Sequence, residues 1–246
     1  MNIPIDPNSL LEFVKKSLIT LTDFWNNREL LESHIEGLVF EHLYKFNNEQ
    51  AELIPQRTIN TISGNFRPDI ILKIGDKEIS IECDGEEFHQ DDYYDEWRDA
   101  LILVSSNIKS IFRLRGKDIY TDLDGIIYFL ATKEPDFFNM DMIRRLKLQV
   151  RQEFLFPEEY NYLIDKKIII FEEQGLDGAL ERRMMEITWR NLSRSFSVFW
   201  LDEILTSYLN PGKPIEELKA LKAENSIKTE DLLALFYDKY AEYKIV

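Results

Sequence analysis

The chain has 246 residues, 44% hydrophobic and 30% charged, with a formal net charge of −15, which supports a folded core in one large domain or two modest ones and excludes a disordered chain. A single cysteine, Cys83, excludes an internal disulfide and a cysteine-rich zinc site. The acidic balance argues against a nucleic-acid partner unless basic residues cluster locally, because binding rewards Lys and Arg against phosphate.

A first helix is expected over residues 9–24, with Leu10, Phe13, Val14, Leu18 and Leu21 on one face. A second is expected over 33–46, where Ile35, Leu38, Val39, Leu43 and Phe46 recur at three- and four-residue spacing. Three strands follow, at 53–59, 69–74 and 78–82, the last two joined by the tight-turn pair Gly75-Asp76. A helix over 92–104, a strand over 109–114 and a helix over 123–131 come next. This order gives an α/β fold, a mixed sheet flanked by helices. Thr132-Lys133-Glu134-Pro135 reads as a boundary. Beyond it the chain is expected to be mainly α-helical, with helices at 140–154 and 177–209, a stop at Pro211-Gly212, and a terminal helix capped by Thr229. Residues 167–171 read as one candidate extra strand. The expected division is an N-terminal helix (1–30), an α/β domain (31–133) and a helical domain (134–246).

Chemistry concentrates in Arg67-Pro68-Asp69, Ile81-Glu82-Cys83-Asp84-Gly85 and Phe88-His89. Asp69 opens one strand and Glu82 closes its hairpin partner, so antiparallel pairing brings both carboxylates to one end of the sheet. Glu82 and Asp84, two apart, share a face of an extended strand, and Cys83 between them points to the core. Crowded carboxylates cost energy unless a cation compensates, and Mg²⁺ (or Mn²⁺) suits a few carboxylates with waters and substrate phosphate. Such an ion can polarise a phosphodiester and activate water.

This arrangement, with Ser33-His34-Ile35-Glu36, Gln56, Asp95-Glu96-Trp97-Arg98-Asp99 and Phe112-Arg113-Leu114-Arg115-Gly116, resembles the PD-(D/E)XK nuclease superfamily. Within it, the chain is similar to the very-short-patch-repair endonuclease branch, which carries an E-x-D-G element followed by His. The resemblance spans about residues 33–131. It implies a restriction-endonuclease-like fold and Mg²⁺-dependent cleavage of nucleic acid, with DNA the expected form, in restriction, repair or defence. It also implies that Asp69 and Glu82 hold the metal with help from Glu36, that Asp84 and His89 position or activate water, and that Gln56, Cys83 and Arg98 support the site. The motif's lysine position is Asp84, which cannot act as a cation.

Other readings stand beside these. Ser33-x-x-Glu36 is also a capping box, Gln56 can simply orient its strand, and His89 can cap or pack. Arg98 and Asp99 can hold their helix to the sheet. Basic residues cluster as Arg113, Arg115 and Lys117 at a strand end, and as Arg183, Arg190 and Arg194 in one stripe of the expected long helix. These are candidate nucleic-acid contacts, or a solvated face, and the helical domain is a candidate surface for a homodimer or protein partner. An inactive nuclease-fold binding subunit and an RNase remain open. The N-terminus lacks a basic region followed by an apolar run, and no segment reaches membrane-helix length. A cytoplasmic protein without a membrane partner is therefore expected.

Overall fold

The structure, a computed structural model, describes residues 22–61, 64–85, 92–155, 166–175 and 178–191. Residues 22–28 are helical; the rest of the expected first helix, His89, Arg194 and the expected terminal helix lie outside the described residues.

Helix α1 (His34–Phe46) begins where Ser33 Oγ accepts the Glu36 N–H at 3.2 Å. Its Val39, Phe40, Leu43 and Phe46 are buried, as the spacing requires. The chain then forms β1 (Glu52–Pro55), β2 (Ile59–Thr61), β3 (Gly64–Phe66), β4 (Ile70–Ile74) and β5 (Lys77–Asp84). The single strand expected over 53–59 is broken at Gln56, whose φ is +52°, and β2 leaves to pair with β3 in a separate two-stranded sheet. β4 and β5 form the expected hairpin, with Ile74 opposite Lys77 and Gly75 at φ +56° in the turn. Helix α2 (Asp92–Ser105) leads to β6 (Ile108–Arg115), which runs parallel to β5.

Helix α3 (Gly116–Lys133) starts seven residues before the expected one, at 116 rather than 123. It kinks at Asp122, whose Oδ1 accepts the Gly125 N–H at 2.8 Å and starts the second, expected segment afresh. The helix expected over 140–154 is shorter. Asn139 caps α4 (Met140–Leu146), turns follow, and a 3₁₀ turn covers Gln152–Phe154.

The expected long helix is corrected over its described part: β8 (Leu180–Asn191) is a strand, paired antiparallel to β7 (Lys166–Gln174) and to β6. Met185 and Trp189 are four apart, a spacing that satisfies a helix and a period-two strand equally. Ile187 between them decides for the strand, since Met185 and Ile187 are both buried on one face. The six-stranded mixed sheet has the order β1-β4-β5-β6-β8-β7, so strands from beyond the expected boundary near 133 complete it. One face carries Ile70, Leu72, Ile79, Ile81, Cys83, Phe112, Leu114 and Ile187 into a core with α1 and α3. Each such buried Ile, Leu or Phe stabilises the fold by roughly 1.5–3 kcal/mol. The opposite face is different in kind: Ser80, Glu82, Arg113 and Arg190 lie on it, buried beneath α2.

Candidate functional site

The register Ile70 to Ile81 places Asp69 and Glu82 across from one another at the end of the β4–β5 hairpin. Asp69 Oδ2 accepts the Cys83 N–H at 2.7 Å, which ties the carboxylate to the neighbouring strand. Gln56 joins them from the end of β1. Its backbone N–H reaches the Asp69 carbonyl (2.9 Å), and its Nε2 donates to Glu36 Oε2 (2.9 Å) and, more distantly, to Asp69 Oδ1 (3.5 Å). The left-handed backbone of Gln56 costs on the order of 1 kcal/mol and is held by these bonds. Glu36 Oε2 also accepts the Glu32 N–H at 2.9 Å, so the carboxylate ties the chain entering α1 to Gln56.

Burial, then Glu82 and Glu36 close by, push the Asp69 carboxyl up to about 7, against the Cys83 N–H and Arg98, which lower it. Glu82 is 2% exposed, and burial raises its pKa too, while Arg98 and Arg113 pull it down. Arg98 Nη2 donates to Glu82 Oε2 at 2.9 Å, and Ser80 Oγ donates to Oε1 at 3.2 Å. Cys83 is buried in the apolar core as expected, and burial pushes its thiol up.

Behind Glu82 lies a buried ion network in which Arg98 and Asp99 hold their helix to the sheet, as their own sequence reading allows, while the partners of Asp99, namely Arg113 and Arg190, were not expected. Arg113, 4% exposed, donates from Nε and Nη2 to Asp84 (3.0 and 3.2 Å), from Nη2 to Asp95 (2.9 Å) and from Nη1 to Asp99 (2.9 Å). Asp99, 0% exposed, also accepts from Arg190 Nη1 at 2.5 Å. The available signal was Asp95 and Asp99, four apart on one helix face, above a strand ending in Arg.

The network corrects the expected nucleic-acid contacts. Arg113 and Arg190 are buried and ion-paired, Arg113 with Asp84, Asp95 and Asp99 at the wall of the site cavity and Arg190 with Asp99 and Glu96, so neither stands on an exposed face. Their strands lie under α2, not on an exposed helix. Arg115 is half-buried, bonded to Asp118 (2.7 Å) and Glu186 (3.4 Å). Arg183 is exposed, with Glu181 at 2.5 Å. Lys117 is exposed at the start of α3.

The acids open into a cavity of about 340 Å³ lined by Glu36, Gln56, Asp69, Glu82, Asp84 and Arg98, with Arg67 and Glu32 ion-paired at its wall. A larger cavity of about 660 Å³, beside Asp23, Tyr44 and Glu52, lacks such a sheet-end carboxylate pair. Among the described residues, no group of three or more His, Cys, Asp or Glu side chains is arranged to hold a metal ion. The carboxylates here offer hard oxygen donors without a closed cage. Mg²⁺ fits that chemistry, since it keeps waters and is usually held by one or two carboxylates plus substrate phosphate. No described helix is long and apolar enough to cross a membrane. No family model matches the chain, and neither does any curated protein or solved structure.

Proposed function

We propose that this chain is a Mg²⁺- or Mn²⁺-dependent nuclease of the PD-(D/E)XK kind, on a restriction-endonuclease-like core, cutting nucleic acid at the cavity between Asp69, Glu82 and Glu36. The observation that carries the reading is the pairing of Asp69 and Glu82 across the β4–β5 hairpin end, at the wall of a cavity of about 340 Å³. Asp69 and Glu82 would hold the ion, and Gln56 would orient Glu36 and Asp69 toward it. A bound divalent ion supplies Lewis-acid polarisation of the phosphate and a lowered pKa for attacking water. Arg98, bonded to Glu82 and lining the cavity, supplies the positive charge that Asp84 cannot. Asp84 is engaged by Arg113, so its part is to fix the sheet end.

DNA is the expected substrate. With a net charge of −15, the metal must do much of the work of admitting phosphate. A second reading, a nuclease-fold binding subunit without activity, is favoured by Arg98 and Arg113, which already neutralise Glu82 and Asp84.

Calorimetric titration with Mn²⁺, followed by cleavage of single- and double-stranded DNA and of RNA with Mg²⁺ or EDTA, separates these readings. The nuclease reading expects Mn²⁺ binding and EDTA-sensitive cleavage, both reduced at least about 100-fold in Asp69→Asn. Neither binding nor cleavage in the wild type would leave the binding subunit. Cleavage of RNA alone would change the substrate and keep the site.

A further inference from the structure

Strand β7 is an outer edge of the six-stranded sheet, and among the described residues only β8 pairs with it. It is nine residues long, with the sequence Lys-Lys-Ile-Ile-Ile-Phe-Glu-Glu-Gln. Alternation sends Ile169 and Phe171 into the core, where both are buried. It leaves Ile168 and Ile170 outside, 50% and 43% exposed. Met184, opposite Ile170 on β8, is 48% exposed. A long apolar edge is a template for another strand, and proteins that keep such an edge unpaired ordinarily place charge, proline or a bulge on it. The middle of β7, Ile168 to Phe171, has no charge and no proline.

The charge along β7 indicates which strand fits. Lys167 stands near its start, and Glu172 and Glu173 near its end. An antiparallel copy of the same strand therefore sets positive against negative. Continuity of the two sheet faces requires opposed residues to point the same way. With the two-fold axis at Ile170, Lys167 faces Glu173, Ile169 faces Phe171, and Ile170 faces its own copy, at the cost of Ile168 facing Glu172. Moving the axis to Ile169 sets Lys167 against Phe171. Moving it to Phe171 sets Ile170 against Glu172.

We propose that β7 pairs antiparallel with β7 of a second copy of this chain, centred on Ile170, so that two six-stranded sheets become one. The contact is self-complementary and closes at two copies. Ile170 and Met184 of both chains meet on the outer face, and Lys167 meets Glu173 on each side of the axis. Within its own chain Glu173 lies 3.4 Å from Arg151 and 3.9 Å from Arg183 and is 45% exposed, so a further cation can reach it.

Sedimentation of the full chain over a concentration series, with cysteine cross-linking, tests this. In Ile170→Cys the two thiols stand on residues about 4.5–5.5 Å apart at Cα, within disulfide range. In Ile168→Cys they stand four residues along the strand, roughly 13 Å apart. Cys83 is buried and does not compete. The expected result is a reversible dimer, fast cross-linking of Ile170→Cys and none of Ile168→Cys. Ile170→Lys, which opposes two like charges, should weaken the dimer at least about tenfold. A wild type that stays monomeric throughout would mean that its own chain covers the edge, and would overturn the proposal. Cross-linking of Ile168→Cys as fast as Ile170→Cys would overturn the register and the proposal with it.

Discussion

Replacing Asp69 by Asn isolates the electrostatics of the sheet-end site. In the metal-free protein, burial and Glu82 hold the Asp69 carboxyl at about 7, against an ordinary value of 3.8. The difference is roughly three pH units, and each is about 1.4 kcal/mol. Because the folded value is the higher one, the unfolded chain gives up its proton first as pH rises. The wild type is therefore least penalised below about pH 4. It loses stability progressively between about pH 4 and 7, and above that it has lost about 4 kcal/mol. Asn cannot ionise, and its carbonyl still accepts the Cys83 N–H. Asp69→Asn should thus be more stable than wild type by about 2–4 kcal/mol near pH 8 and nearly equal to it near pH 4. Removing the Asp69 charge also lets Glu82 ionise more readily, an effect of the same sign. Urea unfolding in EDTA at the two pH values measures both differences. Saturating Mg²⁺ should narrow that difference near pH 8, since a ligand at a hundred times its Kd adds about 2.7 kcal/mol to the wild type alone. A variant whose stability difference from wild type is the same near pH 4 and pH 8 would refute the reasoning, because Asp69 would then not be held protonated.

Two further perturbations test the packing that supports the site. Arg113→Met leaves Asp84, Asp95 and Asp99 short of their shared buried cation, and should cost about 3–5 kcal/mol in urea unfolding. Gly125→Ala places a Cβ on the ring of Phe154, and should lower stability by about 1–3 kcal/mol, with recovery when Phe154 is shortened to Leu.

The hairpin that brings Asp69 and Glu82 together was legible in the sequence, because strand period and a Gly-Asp turn are local properties of adjacent residues. The capping of α1 by Ser33 and the inward position of Cys83 were legible for the same reason. Only the tertiary structure decided what those carboxylates meet. Arg113 binds Asp84 because β6 runs parallel to β5 in a register that sets Glu82 beside Arg113 and Asp84 beside Arg115, and no spacing within either strand encodes that pairing. Residues 180–191 show the same limit. Met185 and Trp189 fit a helical and an extended period alike, and β6 resolved the ambiguity by offering an open edge. That pairing carried Arg190 beneath α2 to Asp99 and turned an expected surface arginine into part of the buried network. Local periodicity fixes which residues share a face, whereas the partner of a buried charge depends on which distant strand supplies the adjoining edge.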